Sequence, residues 1–227
     1  MRPSSVSLYD LQNWAKRAGF ELADDALRPL AGYLELLMQW NRVMNLVGTR
    51  TAEETFDTLV VDSLHLGGFL REKAGIADAP SCWDLGSGAG LPGLPLRMVW
   101  SEGDYWMVEA REKRALFLST VLAKYPLPRT HVFRGRAEAF MAGPPARTAD
   151  LVVSRAFMPW PKVLELVQGH LNPGGVVVLL LRERLQDSSD WEQAARRWRL
   201  IAESGYPVAR TRRFLFALTP NALSFTK

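Results

Sequence analysis

Cys82-Trp83-Asp84-Leu85-Gly86-Ser87-Gly88-Ala89-Gly90-Leu91-Pro92-Gly93 is the stretch whose reading decides the fold. An apolar run ends in an acid, three alternate glycines follow, and a helix start comes next. Glycines permit a tight turn and let backbone N–H groups approach a ligand, while Pro92 pre-sets φ for the first turn of the following helix. The combination predicts a nucleotide pocket at a strand-to-helix turn. Gly88-Ala89-Gly90-Leu91-Pro92-Gly93 also satisfies the dinucleotide fingerprint, with Glu109 about 20 residues further on, so two ligand classes compete. A pyrophosphate favours an uncharged loop and a free helix N-terminus, and Asp84 would set a negative charge beside it. The same carboxylate suits a ligand that carries an amine and a sulfonium. S-adenosylmethionine is therefore the expected ligand, held by Asp84, Gly86, Gly88 and Gly90, with Glu109 accepting hydrogen bonds from the ribose hydroxyls. The competing NAD(P) oxidoreductase loses weight because no tyrosine-lysine or histidine pair suited to hydride chemistry is visible.

Outward from this turn, short apolar runs alternate with helical patterns, the signature of a mostly parallel sheet built from strand-helix-strand units. Strands are expected at Ser81–Leu85, Tyr105–Glu109, Thr130–Phe133, Leu151–Ser154 and Gly175–Leu181. Helices are expected at Leu94–Trp100, Lys113–Lys124, Pro161–Leu171 and Asp190–Glu203, spacings that suit a right-handed doubly wound sheet. Tyr206–Arg210 and Phe214–Leu218 are separated by too few residues for a crossover helix, which predicts an antiparallel C-terminal hairpin at one edge. Gly143-Pro144-Pro145 is the strongest loop mark.

Toward the N-terminus, Leu8–Ala18 reads as a helix closed by Gly19, and a second helix carries the stripe Leu27, Leu30, Ala31, Leu34, Leu37 and Met38. Asp24 or Asp25 can cap this second helix, and Pro29 falls near its first turn. With a further helical stretch near Ala52–Leu70, residues 1–75 form an expected helical extension on a Rossmann-like core of residues 76–227.

Composition bounds the rest. The chain has 227 residues, 48% hydrophobic and 23% charged, which fits one sizeable domain with an extension. The longest clean apolar run, Val176–Leu181, is a strand's length, so no membrane-spanning helix is expected. Met1-Arg2-Pro3-Ser4-Ser5 leads into polar sequence without the apolar segment of a secretory signal, and a cytoplasmic location is the expectation. The single cysteine, Cys82, excludes an internal disulfide and cysteine-cluster metal sites, and a reduced buried thiol is expected. A net charge of +4 is compatible with a polyanionic partner without requiring one.

The glycine turn is one of several motifs that occur together. Trp40-Asn41-Arg42-Val43-Met44-Asn45-Leu46-Val47, Asp62-Ser63-Leu64, and Asp84 through Pro95 with its Leu-Pro-Gly-Leu-Pro ending come first. Glu109 with Lys113-Arg114 and Phe117-Leu118, Arg136-Ala137-Glu138, Ser154-Arg155-Ala156-Phe157 and Leu171-Asn172-Pro173-Gly174-Gly175 follow in order. Over most of its length the chain thus resembles the RsmG family, also called glucose-inhibited division protein B. The resemblance implies a class I methyltransferase fold and transfer of methyl from S-adenosylmethionine to N7 of a guanine in 16S rRNA. It also implies S-adenosylhomocysteine as product and a small ribosomal subunit, or its precursor, as partner. Cofactor contacts carry over to Gly86 and Leu91, to Ala137 and Glu138 beside the adenine, and to Arg155.

Two positions depart from the family's pattern. Thr58-Leu59 stand ahead of Val60-Val61-Asp62-Ser63 where an Arg-His pair is usual, and Leu181-Arg182-Glu183 replaces a Lys-Gly ending. Arg182 keeps the charge and little of the geometry.

Guanine N7 offers a neutral lone pair to an activated methyl, so no general base is needed. This agrees with three histidines, His65, His131 and His170, that show neither metal spacing nor a partnered nucleophile. Catalysis is expected from proximity, with Asn41, Asn45, Asp62, Arg155 and Arg182 the candidates on the catalytic face and no metal involved. RNA affinity is expected from Arg42, Arg50, Arg182, Arg184, Arg196, Arg197, Arg199, Arg212 and Arg213, although the Arg196-Arg197-Trp198-Arg199 run on a helix more often marks a solvated face. A monomer is expected.

Overall fold

The computed structural model describes residues 5–72, 74–76, 78–143 and 147–221; the Pro144-Pro145 part of the expected loop mark lies outside them. The N-terminal helices are α1 (Leu8–Arg17), α2 (Asp24–Met44), α3 (Ala52–Thr55) and α4 (Val61–Glu72), with a π-helical turn, Phe56–Val60, joining the last two. Then come β1 (Ser81–Leu85), α5 (Gly93–Val99), β2 (Asp104–Glu109), α6 (Glu112–Lys124), β3 (Thr130–Arg134), α7 (Ala137–Met141) and β4 (Ala149–Arg155). After them follow α8 (Trp160–Val167), β5 (Leu171–Leu181), α9 (Trp191–Ala195), β6 (Trp198–Val208) and β7 (Thr211–Pro220).

The strands form one sheet in the order β3-β2-β1-β4-β5-β7-β6. The first five run parallel, and β7 enters antiparallel between β5 and β6. The order reverses between β1 and β4, which is where open α/β sheets bind ligands, outside the carboxyl ends of the strands. β1 is buried on both faces, as a central parallel strand requires: Trp83 and Leu85 face one layer and Cys82 the other. Burial pushes the Cys82 thiol up and keeps it protonated.

One apolar cluster fills the space between the N-terminal helices and one sheet face, from Leu11, Leu30, Leu34 and Phe56 to Leu94, Met107, Phe117 and Val178. The stripe read on α2 is this contact: Leu27, Leu30, Ala31, Leu34 and Leu37 are all buried in it. Gly32 lets α2 approach α6, since a Cβ there would lie 1.9 Å from the Tyr125 hydroxyl oxygen. A second cluster, with Trp83, Phe140, Val163, Val177 and Phe216, covers the opposite face. No helix among the described residues is long and apolar enough to cross a membrane.

Four expectations are corrected. Asp24 and Asp25 both lie in the first turn of α2, where they complement the helix dipole, while the N-cap is Ala23 and makes no side-chain cap bond. The helix expected over Pro161–Leu171 stops at Val167; a 3-10 turn follows and β5 begins at Leu171. The helix expected over Asp190–Glu203 is only α9, because from Trp198 the chain becomes β6 and pairs with β7 from Trp198 opposite Pro220 to Val208 opposite Thr211. The hairpin is accordingly longer than read, and its turn is Ala209-Arg210 rather than Thr211-Arg212-Arg213. In the two helix cases a ladder outweighs a weak local helical pattern: β5 pairs with β4 from Leu171, and β6 pairs with the adjacent β7.

Candidate active site

The glycine turn lies at the carboxyl end of β1. Gly86 and Ser87 donate through their backbone N–H groups to the Val108 carbonyl, 2.9 and 3.2 Å, which ties the turn to β2. Gly86 has φ +72°, and a Cβ there would come within 2.4 Å of the Phe157 ring, so both the conformation and the space exclude a side chain. Gly90, at φ +81°, sits equally tightly on Leu94. Leu91 is buried against the N-terminal helices, in the same cluster as Leu34 and Leu37.

Glu109 closes the turn from the side. One carboxylate oxygen accepts from the Gly88 N–H at 2.8 Å and the other from the Arg111 N–H at 2.8 Å. A carboxylate offers about four acceptor positions, so two remain for a ligand's hydroxyls. Beside it opens a cleft of ≈ 410 Å³ lined by Gly86, Val108, Glu109, Ala137, Glu138 and Phe157, with Arg111, Arg114 and Arg136 among its walls. Such a volume lies in the range of small-molecule sites. Ala137 and Glu138 are the first residues of α7, where backbone N–H groups have no intrahelical acceptor. Gly86, Glu109, Ala137 and Glu138, distant in sequence, thus meet in one cleft.

Asp84, expected to contact the ligand, lies behind the turn. It is buried and does not line the cleft; its Oδ2 faces the Cα of Gly93, where a Cβ would come within 2.5 Å. Among the described residues that oxygen has no hydrogen-bond partner of good geometry, although the Gly93 backbone N–H still helps to stabilise the carboxylate. Burial pushes the carboxyl up to about 7, and nearby Glu109 adds to the effect while Ser87 and Arg155 oppose it.

The other catalytic-face candidates divide into two groups. Asp62 and Arg155 meet: Arg155 Nε donates to Asp62 Oδ2 at 3.0 Å. Asp62 is fully buried on α4 and also accepts from the Tyr206 hydroxyl at 3.0 Å and from Arg213, which donates as well to the Thr58 carbonyl at 2.8 Å. One carboxylate therefore joins α4, the end of β4 and the C-terminal hairpin, and among the described residues it takes Arg155 through Nε. Asn41 and Asn45 belong to a loop clasp instead. Asn41 donates to the Thr49 carbonyl and accepts from the Val47 N–H, 3.1 and 2.9 Å, while Asn45 closes α2 in the left-handed conformation at φ 49° with its side chain exposed. Arg182 is exposed just past β5 and has no ion-pair or hydrogen-bond partner among the described residues.

Sequence reasoning missed three contributors. Tyr33 donates its hydroxyl to the Ala89 carbonyl at 2.9 Å and so ties α2 to the glycine turn; a polar tip within the apolar stripe was its only signal. Tyr206 and Arg213 complete the set around Asp62, and Arg213 is consequently a structural residue rather than a free RNA contact. Of the other expected RNA contacts, Arg184 pairs with Glu203 at 2.8 Å. Each histidine has a packing role: His65 stacks on Tyr206, His131 on Trp106, and His170 lies against Trp83. Among the described residues no group of His, Cys, Asp or Glu is arranged to hold a metal ion.

Comparison with solved structures places the core. It is similar to the fibrillarin of Aeropyrum pernix in complex with S-adenosyl-L-methionine, at 14% identity over 69% of this chain and 73% of that one, TM-score 0.52. It is also similar to the ribosomal protein L11 methylase of Lactobacillus delbrueckii subsp. bulgaricus, at 15% identity over 71% and 79%, TM-score 0.52. Identities this low speak for the fold, the class I methyltransferase arrangement with an antiparallel C-terminal hairpin. Sequence relatives are much nearer. The ribosomal RNA small subunit methyltransferase G of Nitratidesulfovibrio vulgaris is 54% identical over 95% of both chains, and that of Lawsonia intracellularis 44% over 95% of this chain and 96% of its own. The family model described as rRNA small subunit methyltransferase G, GidB, matches residues 26–211. With that match over most of its length and relatives 54% and 44% identical along 95% of it, the chain belongs to the rRNA small subunit methyltransferase G family.

Proposed function

We propose that the protein transfers a methyl group from S-adenosyl-L-methionine to N7 of a guanine in 16S rRNA, acting in the cytoplasm, as a monomer and without a metal, on the small ribosomal subunit or its precursor. The observation that carries this reading is the cleft beside the glycine turn, shared by Gly86, Glu109, Ala137 and Glu138 in a chain of this family. Residues 1–75 act as a helical cap over the core of residues 76–227.

The residues present fit the cofactor. The uncommitted acceptor positions of Glu109 suit a ribose diol, and the first-turn N–H groups of α7 with the Glu138 carboxylate suit the donor and acceptor edge of an adenine. Val108, Ala137 and Phe157 supply apolar walls. S-adenosyl-L-methionine brings a methyl group made electrophilic by its sulfonium. The Asp84 carboxyl lies buried behind the turn and is pushed up to about 7, so a cation in the neighbouring space would favour its ionised form.

Guanine N7 attacks through a lone pair and has no proton to lose, so the chain need not supply a base. Its task is to hold the base at the carboxyl ends of β4 and β5 and to exclude water, a proximity effect worth several kcal/mol. Arg155, fixed through Nε at the carboxyl end of β4, keeps further N–H donors that can serve an acceptor of the cofactor or of the target base. Asp62 acts through Arg155 as a positioning residue.

The test is nucleoside mass spectrometry of 16S rRNA from a strain lacking the gene. One 7-methylguanosine is expected to be lost and restored by the wild-type chain; an unchanged nucleoside profile refutes the proposal.

A further inference from the structure

The parallel strands end on one edge of the sheet, and the antiparallel β7 starts there. Leu181, the last residue of β5, pairs with Phe214, so Arg182 falls beside Arg213 in the register. Pro207 and Val208 of β6 pair with Arg212 and Thr211, which brings the Ala209-Arg210 turn to the same edge. These segments line a cleft of ≈ 380 Å³ whose walls include Thr58, Arg182, Glu183, Ala209, Arg212 and Arg213. Thr58 and Arg182 therefore stand in one cleft although they are far apart in the chain.

The cationic side chains of this cleft differ in what they are free to do. Arg213 is committed to Asp62 and to the Thr58 carbonyl, which anchors the hairpin to α4. Arg212 makes one hydrogen bond, to the Gly205 carbonyl at 3.2 Å, and is otherwise exposed. Arg182 is exposed with no partner among the described residues. With Glu183 the only acid in the walls, the lining keeps a net positive charge even after Arg213 is set against Asp62. In the register, Arg155 of β4 lies beside Leu180 of β5, so β7 is two strand spacings, roughly 10 Å, from the end of β4.

We infer that this cleft is a phosphate subsite for the RNA strand next to the methylated nucleotide, with Arg182 and Arg212 as its contacts and Arg213 as its anchor. Planar guanidinium groups on a fixed turn suit bidentate binding of phosphate oxygens, and a position two strands from the site lets one RNA segment occupy cleft and active site together. Arg196 and Arg199 do not share this place. They flank Trp198, where β6 begins at the opposite end of the sheet.

The inference rests on the RNA methyltransferase reading, and the test separates the two. Arg182→Ala/Arg212→Ala and, as a matched charge control, Arg28→Ala/Lys162→Ala at two exposed cations on α2 and α8 are compared with wild type on an unmodified 16S rRNA transcript and on undermethylated small subunits. The first pair is expected to raise KM for the transcript at least tenfold, and to make the dependence of log KM on log salt shallower by about 1.4, at about 0.7 per lost phosphate contact on a single strand. Its dissociation constant for S-adenosyl-L-methionine, measured by calorimetry, stays that of wild type, and the control pair moves KM less than twofold. Equal effects of the two pairs, or an unchanged salt slope, overturn the subsite. A loss confined to protein-containing subunits assigns the cleft to a ribosomal protein and overturns it also. If wild type binds the cofactor yet methylates neither substrate, it is the functional reading that fails.

Discussion

Asp84→Asn should make this protein more resistant to unfolding, by an amount that grows with pH. The carboxyl of Asp84 titrates near about 7 in the fold, against an ordinary value of 3.8, because it is buried with one oxygen lacking a well-placed donor among the described residues. Below 3.8 both native and unfolded chains hold the proton and the site costs nothing. Between 3.8 and 7 only the native chain holds it, so stability falls as pH rises; above 7 both have released it and the penalty is constant. At about 1.4 kcal/mol per pH unit, the native state carries about 2 kcal/mol of this penalty at pH 5 and about 4 kcal/mol at pH 8. Asparagine has the same shape and does not titrate, so the gap between variant and wild type should widen by about 2–3 kcal/mol over that interval. For a chain of this size that is roughly 5–10 °C in Tm. Thermal unfolding of both proteins at pH 5, 6, 7 and 8, without cofactor, reads the gap directly. Curves that stay parallel across the range would refute the claim that Asp84 is held protonated by burial.

Asp62→Asn leaves Arg155 and Arg213 without their shared carboxylate, and urea denaturation should show a loss of about 3–5 kcal/mol, the cost of uncovering a buried ion pair. Under conditions where the variant is folded, kcat should fall by more than KM rises, and Asp62→Glu should restore less than half of the lost stability because the hub has no room for another methylene. Gly86→Ala sets a Cβ 2.4 Å from Phe157 at a positive φ, so calorimetry should find cofactor affinity reduced at least tenfold. Gly19→Ala, also at positive φ but with nothing within 4 Å, should cost only about 1 kcal/mol of stability and leave cofactor affinity unchanged.

Of the residues that meet in the cleft beside the glycine turn, Gly86 and Glu109 were legible from the motif and the strand end that carry them, whereas Ala137 and Glu138 came from the family resemblance. Glu109 was read as a ribose acceptor, and nothing in its spacing revealed that both its oxygens also brace the turn through Gly88 and Arg111. Asp84 was read as a ligand contact because a strand end says where a residue stops and not which way its carboxylate points. Arg213 was read as a free cation because its partner, Asp62, lies 151 residues away.

What the sequence determined alone was the class of structure: period-two and period-3.6 apolar patterns and the glycine turn encode strands, helices and their alternation through short-range sterics and burial. Tertiary structure alone decided the long-range pairings. It turned Trp198–Glu203 from an expected helix into β6, because the ladder with β7 offers backbone partners that no neighbour in sequence provides. It also gathered Asp62, Arg155, Tyr206 and Arg213 into one hub, because a buried carboxylate must find its donors wherever the packed chain brings them.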